Sequence, residues 1–237
     1  MAPPQPASPS PSSSNALPRL LLLLSATTGL VDAASVLGLG KVFTANMTGN
    51  VVFLGFAAAG TSGFRFGPAL LALAAFMTGA WGAGKLGRVQ SARPLGQWLI
   101  RAAITEATLL WAAALVALTI DVEAQAPEPA VLTVIALTGF AMGLRNATVR
   151  QLKVPDLTTT VLTLTITGIA ADQTGRGTPN FPRRFGAVLA IFAGAAIGAL
   201  LLRTGGLACP LALAGLIVLG ATIAFLRSPA AAAPHGQ

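Results

Sequence analysis

Apolar runs alternate with short basic or turn-rich connectors along nearly the whole chain. The runs are Leu17 to about Gly40, Thr48–Thr61, Phe66–Gly84, Trp98–Ile120, Ala130–Ala147, Thr158–Ala171, Phe185–Leu202 and Leu207–Leu226. Connectors such as KLGRVQSARPLGQ, DVEAQAPEP, RQLKVPD and DQTGRGTPNFPRR separate them. Six of the runs are long enough to cross a bilayer as helices, and each carries few ionisable groups. The pattern predicts one membrane domain over 17–227, with no soluble domain. Residues 1–16, rich in Pro and Ser, and the tail 228–237 are expected to be unstructured. Arg19 followed by LLLLLSATTGLVDAAS also has the form of a secretory signal peptide. The apolar character continues past the VDA cleavage candidate, which favours a retained first span.

The two remaining runs, Thr48–Thr61 and Thr158–Ala171, are too short to cross upright. Fourteen helical residues extend about 21 Å, against a hydrocarbon core of ~30 Å. Basic residues supply a second test, because they collect on the cytoplasmic side. If all eight runs cross, six Lys and Arg face one side and nine the other. If the two short runs enter and return, one side collects Arg19, Lys85, Arg88, Arg93, Arg101, Arg145, Arg150, Lys153, Arg176, Arg183, Arg184 and Arg227. The other side keeps Lys41, Arg65 and Arg203. Twelve against three is a positive-inside distribution. The expected fold is therefore an all-α integral membrane protein of six transmembrane helices plus two short re-entrant or half-length helices. Both termini are then cytoplasmic. Eight short, tilted spans are the alternative.

Internal similarity adds a plan to this count. Gly29-Leu30-Val31-Asp32-Ala33 matches Gly143-Leu144-Arg145-Asn146-Ala147, and Asn46–Val51 matches Asp156–Val161. Arg65-Phe66-Gly67 matches Arg184-Phe185-Gly186, in the same order along the chain. Two repeats result, about 17–120 and about 130–227. An odd number of crossings in each half inverts the second half relative to the first, as in many transporters and channels.

The polar residues inside this apolar frame are the candidates for function. VFTANMTGN and its counterpart DLTTT would start the two short helices, with Asn46, Thr48, Asn50, Asp156, Thr158, Thr159 and Thr160 as caps or solute contacts. Irregular backbone at membrane depth is tolerated only when buried in protein or lining a wet cavity. Two helix N-termini near the midplane would offer N–H donors and positive dipole ends to a polar or anionic solute. The same residues could instead only cap and pack helices. Gly49 is expected to serve close backbone approach. Asp32 and Glu106 are acids within spans, and such groups are costly unless paired, protonated or wetted. Arg145 could pair with one of them, and Asn146 stands beside it at the position matching Asp32. Gly79, Gly82, Gly84, Gly194 and Gly198 read as close-packing faces.

Composition closes off other classes. Hydrophobic residues make up 54% of the 237 and charged residues 9%, with a mean hydropathy of +0.75, well outside the range of soluble domains. The formal charge of +8 lies mostly in the connectors, so it writes topology and does not suggest nucleic acid binding. Cys209 is the single cysteine and His235 the single histidine, which leaves no intrachain disulfide, no histidine-based metal site and no Ser-His-Asp triad. No enzyme activity, cofactor or metal is expected. The partners expected are the lipid bilayer, an unidentified small solute and a further copy of the chain.

GLVDAASVLGLGKVFTANMTGNVVFLG and MGLRNATVRQLKVPDLTTTVLT resemble the bacterial YoaK family over roughly Leu17 to Leu226. The resemblance implies a small multi-pass protein of the bacterial inner membrane with an uncleaved first span. Such proteins are grouped under a domain of unknown function, described as small-solute transporters or left unassigned. It supplies neither a substrate nor catalytic residues. The two functional readings are a transporter or channel-like permease for a small polar or anionic solute, and a structural or accessory membrane protein.

Overall fold

The computed structural model describes residues 16–89, 94–152, 163, 165–167 and 181–232. Seven helices are described: α1 Ala16–Gly38, α2 Met47–Ala58, α3 Phe66–Val89, α4 Leu95–Ala117, α5 Glu128–Gln151, α6 Phe181–Gly205 and α7 Ala208–Leu226. All but α2 are long and apolar enough to span a membrane. The second short run, Thr158–Ala171, falls largely outside the described residues; residues 163 and 165–167 of it are helical.

Side-chain contacts at the helix ends fix the direction of each span. Gln125 donates its side-chain amide to the Gly38 carbonyl, at 3.1 Å. The end of α1 and the approach to α5 therefore share one face. Arg65, just before α3, pairs with Glu128 at the start of α5. Thus α3 begins on the face where α1 ended, and the stretch 39–65 enters and leaves by the same side. At the opposite face Gln151, ending α5, bonds the Ala83 carbonyl at 3.3 Å, near the end of α3. Gly186, early in α6, lies against Leu22, early in α1. The segment between α5 and α6 therefore also starts and finishes on one side. Eight crossings are incompatible with these contacts, and α2 is re-entrant.

The chain turns back into the membrane after α1 through Gly40 and Lys41, both with positive φ (77° and 61°). The Lys41 N–H closes the helix end on the Val36 carbonyl at 3.2 Å. Glycine meets the left-handed conformation at position 40 without strain. Residues 42–46 then descend beside α1 until the Ala45 N–H reaches the Asp32 carboxylate, at 3.0 Å. Asp32 lies six residues, close to two turns, inside the end of α1.

Two glycine-lined crossings hold the spans together. A methyl group on Gly29 of α1 would collide with the Ile191 carbonyl of α6, and one on Gly143 of α5 with the Phe76 carbonyl of α3. In the reverse direction, Gly194 faces the Ala26 carbonyl and Gly79 the Phe140 carbonyl. Backbone-to-backbone contact of this kind is the usual way membrane helices gain packing energy without a hydrophobic drive. The pairs correspond at offsets of 114 residues (Gly29 to Gly143) and 115 residues (Gly79 to Gly194, Phe76 to Ile191, and the helix starts Phe66 to Phe181). The Arg65-Phe66-Gly67 match to Arg184-Phe185-Gly186, at offset 119, is thus displaced by one helical turn from the packing equivalence. A methyl added to Gly82 or Gly84 would meet nothing within 4 Å, so neither residue belongs to a packing face.

Helices α4 and α7 pack antiparallel between the two crossings. Gly96 lies against Leu226, and Trp111 donates its indole N–H to the Ala212 carbonyl at 3.2 Å. Part of the C-terminal tail expected to be unstructured is ordered: Pro229–Ala232 forms a 3-10 turn whose Ala231 is buried against Gly96.

Candidate functional site

The re-entrant helix α2 is held at its tip by two polar side chains. Asn50, fully buried, bonds the Phe43 backbone in both directions: it accepts the Phe43 N–H at 2.9 Å and donates to the Phe43 carbonyl at 2.5 Å. It acts as the missing strand or helix partner for a buried stretch of irregular chain, where each unpaired backbone group would cost about 1–3 kcal/mol. Gly49 packs beneath the Phe43 ring, and a side chain there would strike it. Asp32 provides the second anchor, with the backbone amides of Thr44 and Asn46 facing its carboxylate beside the Ala45 bond. Asn46 occupies the N-cap position of α2, yet its side chain makes no capping bond. Asp32 instead holds the loop that leads into α2, through amides of residues 44–46. Phe43, Phe53, Phe56 and Phe64 complete the anchor as one aromatic cluster, with Phe43 and Phe53 stacked at 5.6 Å.

A cavity of about 690 Å³ opens at this tip. Its walls come from α1 (Thr28, Gly29, Asp32), the descending loop and α2 (Phe43 to Phe53), α3 (Phe76), α6 (Ile191, Ala195) and Thr163. Gly29, Phe76 and Ile191 each fall near the middle of their spans, so the cavity sits at mid-depth. Asn46 and Thr48 are exposed within it. Thr163 belongs to the second short run, so residues from both polar-headed segments reach the same space. The volume falls within the range of small-molecule sites, ~300–1,000 Å³.

Glu106 and Arg145 belong elsewhere. They form an ion pair in which both side chains are almost wholly buried. The Arg145 guanidinium also donates to the Leu24 carbonyl at 3.0 Å and to the Thr28 hydroxyl at 3.3 Å. The cavity beside this pair is about 20 Å³, room for about one water, and it cannot admit a solute. Arg145 therefore forms its ion pair with the acid on α4 and not with Asp32. The pair ties α1, α4 and α5 together. Asn146 turns back to its own helix, donating to the Met142 carbonyl at 2.9 Å. Asp156, Thr158, Thr159 and Thr160 lie outside the described residues.

Of the sequence candidates, Asp32, Asn46, Thr48 and Gly49 come together at the cavity, while Asn50 supports it from behind. Thr28, Phe43, Met47, Phe53 and Phe76 line it as well and were not singled out by sequence. Thr28 carried a signal, as a hydroxyl in the middle of an apolar run; the aromatic residues carried none that separates them from lipid-facing ones. Among the described residues, no three of His, Cys, Asp and Glu are placed to hold a metal ion.

Six spans, a re-entrant helix with a polar tip and a mid-depth cavity define an all-helical multi-pass membrane protein. The chain belongs to the family described as protein of unknown function (DUF1275), whose sequence profile matches residues 20–224. It is 34% identical over 158 residues to the UPF0700 transmembrane protein YoaK of Bacillus subtilis (strain 168), covering 66% of this chain and 67% of that protein. No solved structure matches.

Proposed function

We propose that this protein is a transporter or channel-like permease for a small polar solute, with the mid-depth cavity as its binding site. The single observation that carries this reading is the cavity itself: a solute-sized space at bilayer depth, headed by polar side chains from a re-entrant segment. Purely structural polar residues would be buried in one another, as Asn50 and the Glu106–Arg145 pair are. Asn46 and Thr48 instead face open space. An anionic solute is disfavoured, because the Asp32 carboxylate lines the same cavity.

We further infer that the two halves arose by duplication and sit as inverted repeats. The matched glycine crossings support this: α1 on α6 and α5 on α3 are equivalent pairs formed between halves. Each crossing then makes a rigid body, and motion of one against the other would open the cavity to alternate sides.

Purified protein in liposomes is expected to accelerate osmotic shrinkage and re-swelling for at least one member of a panel of small polar solutes. Thr48→Val should cut the accelerated rate about tenfold or more. Rates equal to those of protein-free vesicles for every solute would favour the accessory role instead.

The face bearing the ends of α3 and α5 collects the basic residues and is, in this reading, cytoplasmic. Single cysteines introduced at Ser62 and Ala124 in a Cys209→Ser background should react with an impermeant maleimide on intact cells. Cysteines at Gln97 and Arg227 should react only after permeabilisation. Labelling of Ser62 and Gln97 from the same side would contradict the six-span topology.

A further inference from the structure

We propose that the cavity takes a cationic amphiphile: an organic cation whose charged centre sits at Asp32 and whose apolar, preferably aromatic body lies against Phe43, Phe53 and Phe76. This rests on the permease reading and specifies its substrate class. The first ground is charge. Asp32 is the sole ionisable side chain among the described residues that line the cavity, and neither of the described ion pairs includes it. Arg145 is felt by Asp32 across Thr28, but its own ion pair is with Glu106. Backbone amides and the more distant Arg145 stabilise this carboxylate only in part, no ion pair neutralises it, and a cationic ligand beside it offsets the remaining cost.

The second ground is shape and surface. The wall divides into a polar end (Thr28, Asp32, Asn46, Thr48) and an apolar end (Phe43, Met47, Val52, Phe53, Phe76, Ile191). A small hydrophilic solute would leave the apolar end without a partner, whereas an amphiphile covers both. The stacked Phe43–Phe53 pair presents an extended aromatic surface, which attracts organic cations through the ring quadrupoles as well as by apolar contact. Met47 adds a flexible, polarisable side chain suited to irregular ligand shapes. The Ala45 N–H bond holds Oδ1 of the carboxylate in place from the loop side.

A matched pair of ions of equal size and opposite charge tests this directly. Tetraphenylphosphonium should bind the purified, detergent-solubilised protein at least tenfold more tightly than tetraphenylborate in equilibrium binding, after subtraction of protein-free micelles. Asp32→Asn should lose tenfold or more of the phosphonium affinity, and Asp32→Glu should retain most of it. Because Asp32 also anchors the loop, Asp32→Asn could fail to fold. A second measurement therefore leaves Asp32 intact: Thr48→Cys in the Cys209→Ser background, whose maleimide reaction tetraphenylphosphonium should slow and tetraphenylborate should not. Equal binding of the two ions, or preference for the borate, overturns the charge assignment. So does labelling of Thr48→Cys that the phosphonium leaves unaffected. If neither ion binds yet polar solutes still cross the vesicle membrane, this inference falls and the permease stands. Absence of both binding and flux removes the two together.

Discussion

Replacing Glu106 with alanine is expected to destabilise the protein by about 3–5 kcal/mol, among the largest losses any side-chain truncation here should cause. Its carboxylate and the Arg145 guanidinium are buried together among α1, α4 and α5, and removing the acid strands a full positive charge away from water. Arg145 keeps its bonds to the Leu24 carbonyl and Thr28 hydroxyl, but those neutral oxygens cannot match an ion. Arg145→Ala should be comparably harmful for the mirror reason. The double replacement of Glu106 by Leu and Arg145 by Met should recover most of the loss, because two apolar side chains of similar volume have no charge to desolvate. Equilibrium unfolding in mixed micelles, followed by tryptophan fluorescence, reads all four proteins. A single variant as stable as the parent would show that water reaches the pair. The position of Arg145 in the second half corresponds, at offset 114, to the fully buried Val31 in the first. The double variant tests whether the pair serves anything besides packing.

Gly143→Ala and Gly29→Ala are each expected to cost about 3 kcal/mol or more, at or above the upper end of ordinary overpacking. The added methyl meets a main-chain carbonyl of the partner helix in both cases, Phe76 or Ile191, and main chain cannot rotate aside as a side chain can. The helices must move apart along the whole crossing, which forfeits contacts at Gly79 or Gly194 as well. Controls come from the same protein: Gly82→Ala and Gly84→Ala have open space around the new methyl. They should be neutral or gain up to about 1 kcal/mol from helix propensity. Thermal stability in detergent, measured by loss of the monodisperse peak after heating, should separate the two groups clearly. If all four substitutions behave alike, the close crossings do not exist as described.

These two results also bear on function through one route. The cavity lies between elements that the crossings hold in place: Gly29 lines it on α1, while Phe76, Ile191 and Ala195 line it from the partner helices. A displaced crossing would reshape the cavity even where the protein still folds.

The number of candidate spans and the short length of Thr48–Thr61 were readable from the chain. Each depends on composition summed over a run and on the fixed thickness of a bilayer, and neither needs a tertiary neighbour. That Asp32 and Glu106 need partners, and that Arg145 seeks an acid, also followed from the cost of charge in hydrocarbon. Which acid Arg145 meets did not. Glu106 is 39 residues away in sequence and Asp32 is 113, and only the antiparallel packing of α4 on α5 decides between them. The roles inside VFTANMTGN were equally closed to sequence. Asn46, Thr48 and Asn50 are alike in polarity, yet Asn50 turns inward to bond Phe43 while Asn46 and Thr48 face the cavity. Side-chain direction on a five-residue stretch depends on where the preceding loop runs, and that loop is placed by Asp32 from another helix. Gly29 and Gly143, matched in sequence, both stand at helix crossings, but the Arg65 match lies one turn away from the offset of the contacts, because similar letters on a helix surface recur every four residues while backbone contact does not. Sequence therefore determined what must lie in the membrane and how often it crosses, through hydrophobic length and charge. Tertiary structure alone decided which polar groups neutralise one another and which remain open to a ligand, since that depends on pairing between helices distant along the chain.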